Sequence, residues 1–441
     1  MALVKNATWL LAEKVLRIAV GFVVTLAVIR HLGPERYGAY AYALSLVYLA
    51  LPLARLGLES IVVRELALER DGGRGVGRYA LPRLGAGVAA AVALCAASSL
   101  LAPDDAGRTL IVVASMLLAV QATDVFELWA QGHALAWRTA AMRIGVIAIA
   151  ALARVALIAA DAGATAFMAL AVAEALAYGA CAWGLYRRVR RAEDPVRAPL
   201  RDPAPIPWRE AATVVVTALV GAAYLRIDAT LLMWWAGAAQ AGLHAAALPV
   251  VDALSIVPTV MATVLLPELA RRWSSPDGDR TRFWSGFEAA MAVATWTGIA
   301  AAATLALAAT LLLERVLGPA YAATVPVVVM LCAAVPLFFQ GSVIDVYVYA
   351  DSRVTYLLAK SSIALVAKVA LCAWWIPAHG ALGAAAATVV SVWIVVFAVT
   401  RAMSARVFAV SVRAFAPASL ALAVRSLLAL RARTQRLAPL P

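Results

Sequence analysis

The chain has 441 residues, 64% hydrophobic and 14% charged, with a mean hydropathy of +0.87. Soluble domains carry about 25% charged residues, so a water-soluble globular protein is excluded, as are a disordered chain and a secreted disulfide scaffold. The net charge of +13 reads as arginine-rich loops on the inner face of a membrane rather than as a nucleic-acid surface.

A spanning helix needs about 20 mostly apolar residues. In chain order the qualifying windows are roughly 7–29, 38–62, 80–102, 108–131, 140–160, 164–186, 211–235, 241–266, 284–313, 322–348, 356–376 and 380–402. These runs are too long and too little alternated for the strands of a β-barrel. The expected fold class is therefore an all-α membrane protein of about twelve transmembrane helices. No cleavable leader is expected, because the first apolar run carries Glu13, Lys14 and Arg17. The connectors alternate in character. Those with Arg64 to Arg78, Arg138 and Arg143, Arg187 to Arg209, Arg271 to Arg282, and Arg353 are basic. Those at Gly33–Gly38, Pro103–Gly107, Asp161–Gly163, Ala236–Gly242, Gly318–Ala320 and Pro377–Gly380 are short and nearly free of Lys and Arg. Basic loops stay inside, which places both termini in the cytoplasm. Cys95, Cys181, Cys332 and Cys372 all sit in apolar stretches and read as small core residues, neither ligands nor disulfides.

The longest connector, 187–210, is rich in Arg and Pro and reads as a cytoplasmic linker. It separates an N-terminal lobe, 1–186, from a C-terminal lobe, 211–402, each of six helices; a basic interfacial tail follows at 403–441. HLGPERYGAYAYAL at 31–44 aligns with WAGAAQAGLHAAAL at 235–248, matching Gly33 to Gly237 and Gly38 to Gly242 at an offset of 204. That offset crosses an even number of spans, so the lobes form a parallel internal repeat about an axis along the membrane normal.

A charge at mid-bilayer costs about 2.5–3.5 kcal/mol on insertion scales, so each needs a reason. Glu13 and Arg17 share one face of the first span. Ser45, Tyr48, Pro52, Arg55 and Glu59 form one polar face of the second. By the helical rise, Arg17 and Arg55 lie roughly 15 and 12 Å from the inner end. Asp228 lies on the polar face of the seventh span with Arg226 on the other side; Asp252 lies in the eighth and Lys368 in the eleventh. Asp124, Glu127 and Lys360 lie near the inner end, where snorkelling explains them. Pairing is the alternative for Glu13–Arg17 and Arg55–Glu59. Deep cations on separate helices instead suit a hydrated cavity that selects an anion, and arginine forks suit phosphate best.

The segments NATWLLAEKVLRIAVGFVVTLAVIRHLGPERYG, YALSLVYLALPLARLGLESIVVREL, LRIDATLLMWWAGAAQAG and IPAHGALGAAAAT resemble bacterial polysaccharide transporters. These are the lipid-linked O-antigen repeat-unit flippases of the multidrug/oligosaccharidyl-lipid/polysaccharide exporter superfamily. The resemblance implies two six-helix lobes around a cavity. It also implies translocation of an undecaprenyl-diphosphate-linked oligosaccharide from the inner to the outer leaflet of the inner membrane, by alternating access. Arg17, Arg55 and Arg226 fall at positions where the family's cavity is basic, and Lys368 stands where the family often has Asn-rich sequence. The partners implied are the lipid-linked oligosaccharide, membrane lipid and other polysaccharide-assembly proteins, with no nucleic acid. No catalytic residue, metal or cofactor is implied. Glu13, Glu59, Asp228 and Asp252 suit a coupling H+ or Na+ as well as they suit ion pairs. Two other readings compete: a drug/cation antiporter of the same superfamily, which needs an acidic cavity, and a membrane-embedded glycan polymerase or ligase, which usually needs a large external loop.

The topology has a direct test. A phosphatase fused at Ala238 should be active and one fused at Ala204 silent; the reverse pattern would overturn the span assignment.

Overall fold

The computed structural model describes residues 2–68, 76–102, 104–192, 206–255, 258, 261, 269, 271, 273, 280–351 and 354–426. Every regular element among them is helical. Among the described residues nine helices are long and apolar enough to cross a membrane by length and composition. Three of the nine are interrupted by one glycine of positive φ: Gly33 (72°), Gly237 (85°) and Gly380 (54°). Only glycine adopts such angles without strain. Each marks a connector expected from sequence, compressed to about a single residue. At Gly380 the chain doubles back, since Gly383 lies against the Trp375 carbonyl, a contact that a straight helix would not allow. Large apolar side chains face outward, Leu100 and Trp374 among them; this inverts the pattern of a soluble protein and suits a lipid surround.

The chain divides into two compact units, Met1–Ala245 and Ala246–Pro441. The first contains α1 (Ala2–Arg55), α2 (Glu59–Leu68), α3 (Val76–Leu101), α4 (Asp105–Val120), α5 (Val125–Gly132), α6 (Ala136–Ala159), α7 (Ala164–Ala192) and most of α8 (Trp208–Asp252). α1 packs on α3, α4 and α6; α4 packs on α3 and α7; α2 packs on α5. Of the expected linker, 193–205 lies outside the described residues. The sequence reading runs the second span unbroken to 62. Instead α1 stops at Arg55, where Leu56 and Gly57 both take positive φ (55° and 62°). A Cβ on Gly57 would collide with the Ala211 carbonyl oxygen, so this turn exists where α8 begins to pack against it.

α1 and α8 meet in a reciprocal way. A Cβ on Gly38 would collide with the Ala238 carbonyl oxygen, and one on Gly242 with that of Pro34. Pro34 and Ala238 are themselves matched by the offset of 204. The contact is thus the same patch used twice, as at a two-fold axis. Small residues spaced four apart let backbones approach this closely in lipid, where helix association rests on packing. Below the crossing, Trp234 Nε1 donates to the Tyr42 hydroxyl at 3.0 Å, and the Ser45 and Thr230 hydroxyls meet at 3.1 Å.

In the second unit the helix Arg280–Ala308 packs on Val335–Ala350, and Thr324–Cys332 on Val354–Trp393. In the tail, Ala405–Arg413 and Pro417–Ser426 meet at 90°. The Gln340 amide donates to the Ser411 carbonyl (3.1 Å) and Trp296 Nε1 to the Ser419 hydroxyl (2.8 Å), seating both tail helices on this unit. Residues 427–441 lie outside the described residues.

The crossing generates a stability prediction. Gly38→Ala and Gly242→Ala should each cost about 1–3 kcal/mol, the usual penalty of overpacking. Gly221→Ala, at a helical glycine with open space, should be neutral or stabilise by up to about 1 kcal/mol. Melting temperatures of the detergent-purified variants decide it.

Candidate functional site

The first unit encloses a cavity of about 850 Å³ lined by α1, α2, α4 to α7 and the turn between α4 and α5. Its charged lining residues are Arg55, Glu59, Arg64, Asp124, Glu127 and Arg143. Arg55 is the last residue of α1 and Glu59 the first of α2. Each charge therefore sits at the helix end whose dipole favours it. The Leu56–Gly57 turn brings them together, with Arg55 Nη1 at 2.9 Å from Glu59 Oε1. These two residues meet across a turn rather than along one helix.

Asp124 closes a 3-10 segment, Gln121–Asp124, that interrupts α4 and α5. α7 presses against this segment, because a Cβ on Gly179 would collide with the Thr123 side chain. The Gln121 amide donates to Asp124 Oδ2. Arg83, on α3 and fully buried, places Nη2 at 2.6 Å from Asp124 Oδ1. Arg55 Nε stands 4.0 Å from Asp124 Oδ2. Nearby, Arg143 of α6 pairs with Glu127 of α5 and stacks 4.0 Å from the Tyr178 ring centroid of α7. Asp124, Glu127 and Lys360 are expected from sequence to snorkel; each instead has a cationic or anionic partner on another element, Lys360 with Asp345 at 2.5 Å. A buried charge is tolerated in this form, because its partner replaces the lost hydration.

The other anticipated residues are dispersed. Glu13 and Arg17 lie on α1, but their side chains fall outside the described residues. Arg226 stacks over the Tyr48 ring, 4.9 Å from its centroid, and Tyr48 lines the cavity. Asp228 is buried on α8, its Oδ2 3.5 Å from Nε2 of the equally buried His244. Lys368 is buried in the second unit, and Asp252 is exposed at the end of α8. The arrangement therefore brings Arg55 and Glu59 into the cavity lining of the first unit, sets Arg226 behind Tyr48 at its side, and leaves Asp228, Asp252 and Lys368 elsewhere. Sequence reasoning passed over Arg83 and Gln121 entirely. The available signal was an arginine directly after Pro82, inside an apolar run. Nor is the cavity lining simply cationic: its three arginines are matched by three carboxylates. Among the described residues no group of three or more His, Cys, Asp or Glu side chains is placed to hold a metal ion.

Residues 3–273, more than half of the chain, match the family described as "Polysaccharide biosynthesis protein". The chain belongs to that family. No curated protein matches it. Among solved structures it is similar to the lipid II flippase MurJ in an inward closed conformation (TM-score 0.65, 12% identity, covering 91% of this chain and 90% of that one). It is also similar to a multidrug-resistance MATE family transporter of the MOP superfamily in an inward-facing conformation (0.61, 14%, 93% and 99%). A third likeness is to a MOP superfamily transporter from Pyrococcus furiosus, described by the reverse polarity of its binding pocket (0.55, 15%, 93% and 96%). At these identities the likeness is one of fold. The family member described here is a multi-pass membrane protein with the fold of flippases and multidrug transporters.

The cross-helix pairing can be measured. A double-mutant cycle with Glu127→Gln and Arg143→Gln should give a favourable coupling of about 0.5–3 kcal/mol. The double variant should then lose less stability than the two single variants summed; a coupling of zero would mean that the pair adds nothing to the α5–α6 contact.

Proposed function

We propose that the protein is a flippase that moves an undecaprenyl-diphosphate-linked oligosaccharide from the inner to the outer leaflet of a bacterial inner membrane. Transport is by alternating access, with both termini cytoplasmic, and serves surface polysaccharide assembly. Membership of a polysaccharide biosynthesis family supports the substrate class. One observation carries the anion site. Beside a cavity whose carboxylates all meet arginines, Arg226 is held over Tyr48 by its ring face and has no carboxylate partner among the described residues. Cation–π stacking leaves the edge of the guanidinium, with its donors, open to an acceptor. A diphosphate is the fitting acceptor, because its oxygens match the arginine fork. Arg55, 35% exposed, is the second donor group. The sugars need only water-bridged contacts, which allows loose recognition of the glycan.

The same observation weighs against the antiporter reading. A cationic drug entering this cavity would find no unpaired carboxylate among the described lining residues, with Arg226 beside it on Tyr48. For energy coupling, the buried carboxylate–imidazole pair Asp228–His244 is better suited to a proton than Glu59, which is engaged by Arg55.

The test is binding of undecaprenyl diphosphate to the full chain in nanodiscs. Arg226→Ala and Arg55→Ala should each weaken binding about ten- to a hundredfold, the worth of one lost charge-assisted hydrogen bond. Lysine at either position should recover only part, since it keeps the charge without the fork. If both alanine variants fold and bind as the wild type does, these arginines are structural and the anion site is wrongly placed.

A further inference from the structure

Asp124 faces two guanidiniums and can satisfy only one of them fully. Its Oδ1 is 2.6 Å from Arg83 Nη2, and its Oδ2, already accepting from Gln121, is 4.0 Å from Arg55 Nε. The two arginines differ in setting. Arg83 is 0% exposed, and none of its three nitrogens makes a hydrogen bond of regular geometry among the described residues; Nη2 meets Asp124 Oδ1 as an ion pair. Asp124 is the one direct ion-pair partner of Arg83 among the described residues, with Glu59 acting on it from farther off, and a buried cation holds such a partner strongly. Arg55 is 35% exposed and lines the cavity. It already has Glu59 at 2.9 Å, a contact 47% exposed on the glutamate side and therefore open to exchange.

We propose that Arg83 is the positioning residue of the anion site: by holding Asp124 it keeps a second carboxylate off Arg55, and so leaves that guanidinium able to exchange Glu59 for a phosphate. The inference rests on the anion site proposed above. The logic is competition. A phosphate approaching Arg55 must displace one exposed carboxylate, which can turn to water. Without Arg83, Asp124 is a carboxylate 18% exposed whose nearest cation is Arg55. The guanidinium then lies between two carboxylates, one of them much less exposed than Glu59, and the incoming anion meets both. Arg83 is not among the cavity-lining residues; its direct contact is with Asp124, and its action on Arg55 runs chiefly through that carboxylate. The 3-10 segment fixes where Asp124 stands, and the contact of Gly179 with Thr123 stops that segment from backing away.

Four full-length variants test this: Arg83→Gln, Arg83→Lys, Arg83→Gln/Asp124→Asn and Asp124→Glu. The last keeps Arg83 paired while lengthening the carboxylate toward Arg55, so the proposal stays testable if Arg83→Gln fails to accumulate. Two readouts are taken on each. One is affinity for undecaprenyl diphosphate. The other needs no ligand: the rate at which phenylglyoxal modifies Arg55, followed by peptide mass spectrometry. Arg83→Gln and Asp124→Glu should each lose about tenfold in affinity, the change that one charge-assisted hydrogen bond makes. In both, Arg55 should be modified correspondingly more slowly. Arg83→Lys, and the double variant that removes both charges, should return both readouts to near wild type; a merely structural role for Arg83 would not be rescued by deleting its partner. Wild-type affinity and Arg55 reactivity in a folded Arg83→Gln or Asp124→Glu protein would overturn the proposal, as would a double variant as impaired as the single one. If the wild type fails to bind the lipid diphosphate while the Arg55 reactivities follow the expected order, the functional reading fails and the Arg83 role stands. Binding by the wild type with unchanged Arg55 reactivities leads to the opposite conclusion.

Discussion

Two backbones touch where Gly38 and Gly242 cross, and much of the first unit is arranged around that contact. Each glycine lies on a carbonyl of the other segment, so neither position has room for a side chain. In lipid there is no hydrophobic drive between helices, and close packing of small residues must supply the association. The crossing also fixes the register of the next turns of α1. Tyr42 reaches Trp234, Ser45 reaches Thr230, and Tyr48 comes to lie under Arg226. A shift of one residue at the glycines would turn each of these groups to a different face. The position of the Arg226 guanidinium beside the cavity is thus set some way from it, by an interaction that involves no charge.

Charge is handled differently from what an anion-selecting cavity first suggests. The lining is a set of ion pairs that link α2 to α8, α3 to the turn after α4, and α5 to α6. Such pairs gain little over apolar packing but fix which helix faces which. In the function proposed above, selectivity comes from the exceptions: an arginine engaged by an aromatic face, and another whose carboxylate is partly in water. A site of this kind offers donors to a diphosphate without the repulsion that a fully cationic cavity would build up in its empty state.

The turns were legible in the sequence because they depend on local chemistry. Gly33, Gly237 and Gly380 stand between apolar runs, and only glycine tolerates the angles those breaks require. The matched glycines at an offset of 204 pointed to a duplication, and they turned out to touch each other. The membership of a polysaccharide biosynthesis family was legible too, in the blocks around Arg17, Arg55 and Arg226. The ion-pair network was not. Arg83 and Asp124 lie on different helices, and no periodicity within one helix reports a partner on another. Asp124 was placed near an inner end by counting residues, a measure of depth that says nothing of what stands beside it. The end of α1 at Arg55 was also hidden, because Leu56 takes a left-handed conformation that its residue type does not announce.

The reciprocal contact of Gly38 and Gly242 has a consequence for biosynthesis. A membrane protein is inserted from its N-terminus as it is made, and the two partners of this crossing are separated by most of the first unit. The segment at Pro34–Gly38 therefore enters the bilayer with its packing surface bare and stays so until α8 emerges. During that interval its close approach is available to any other small-residue helix, including a second nascent copy of the same chain. Because the patch is self-complementary by duplication, such a copy would be a close imitation of the proper partner. Synthesis through 242 ends that interval, because the segment at Ala238–Gly242 then covers Gly38.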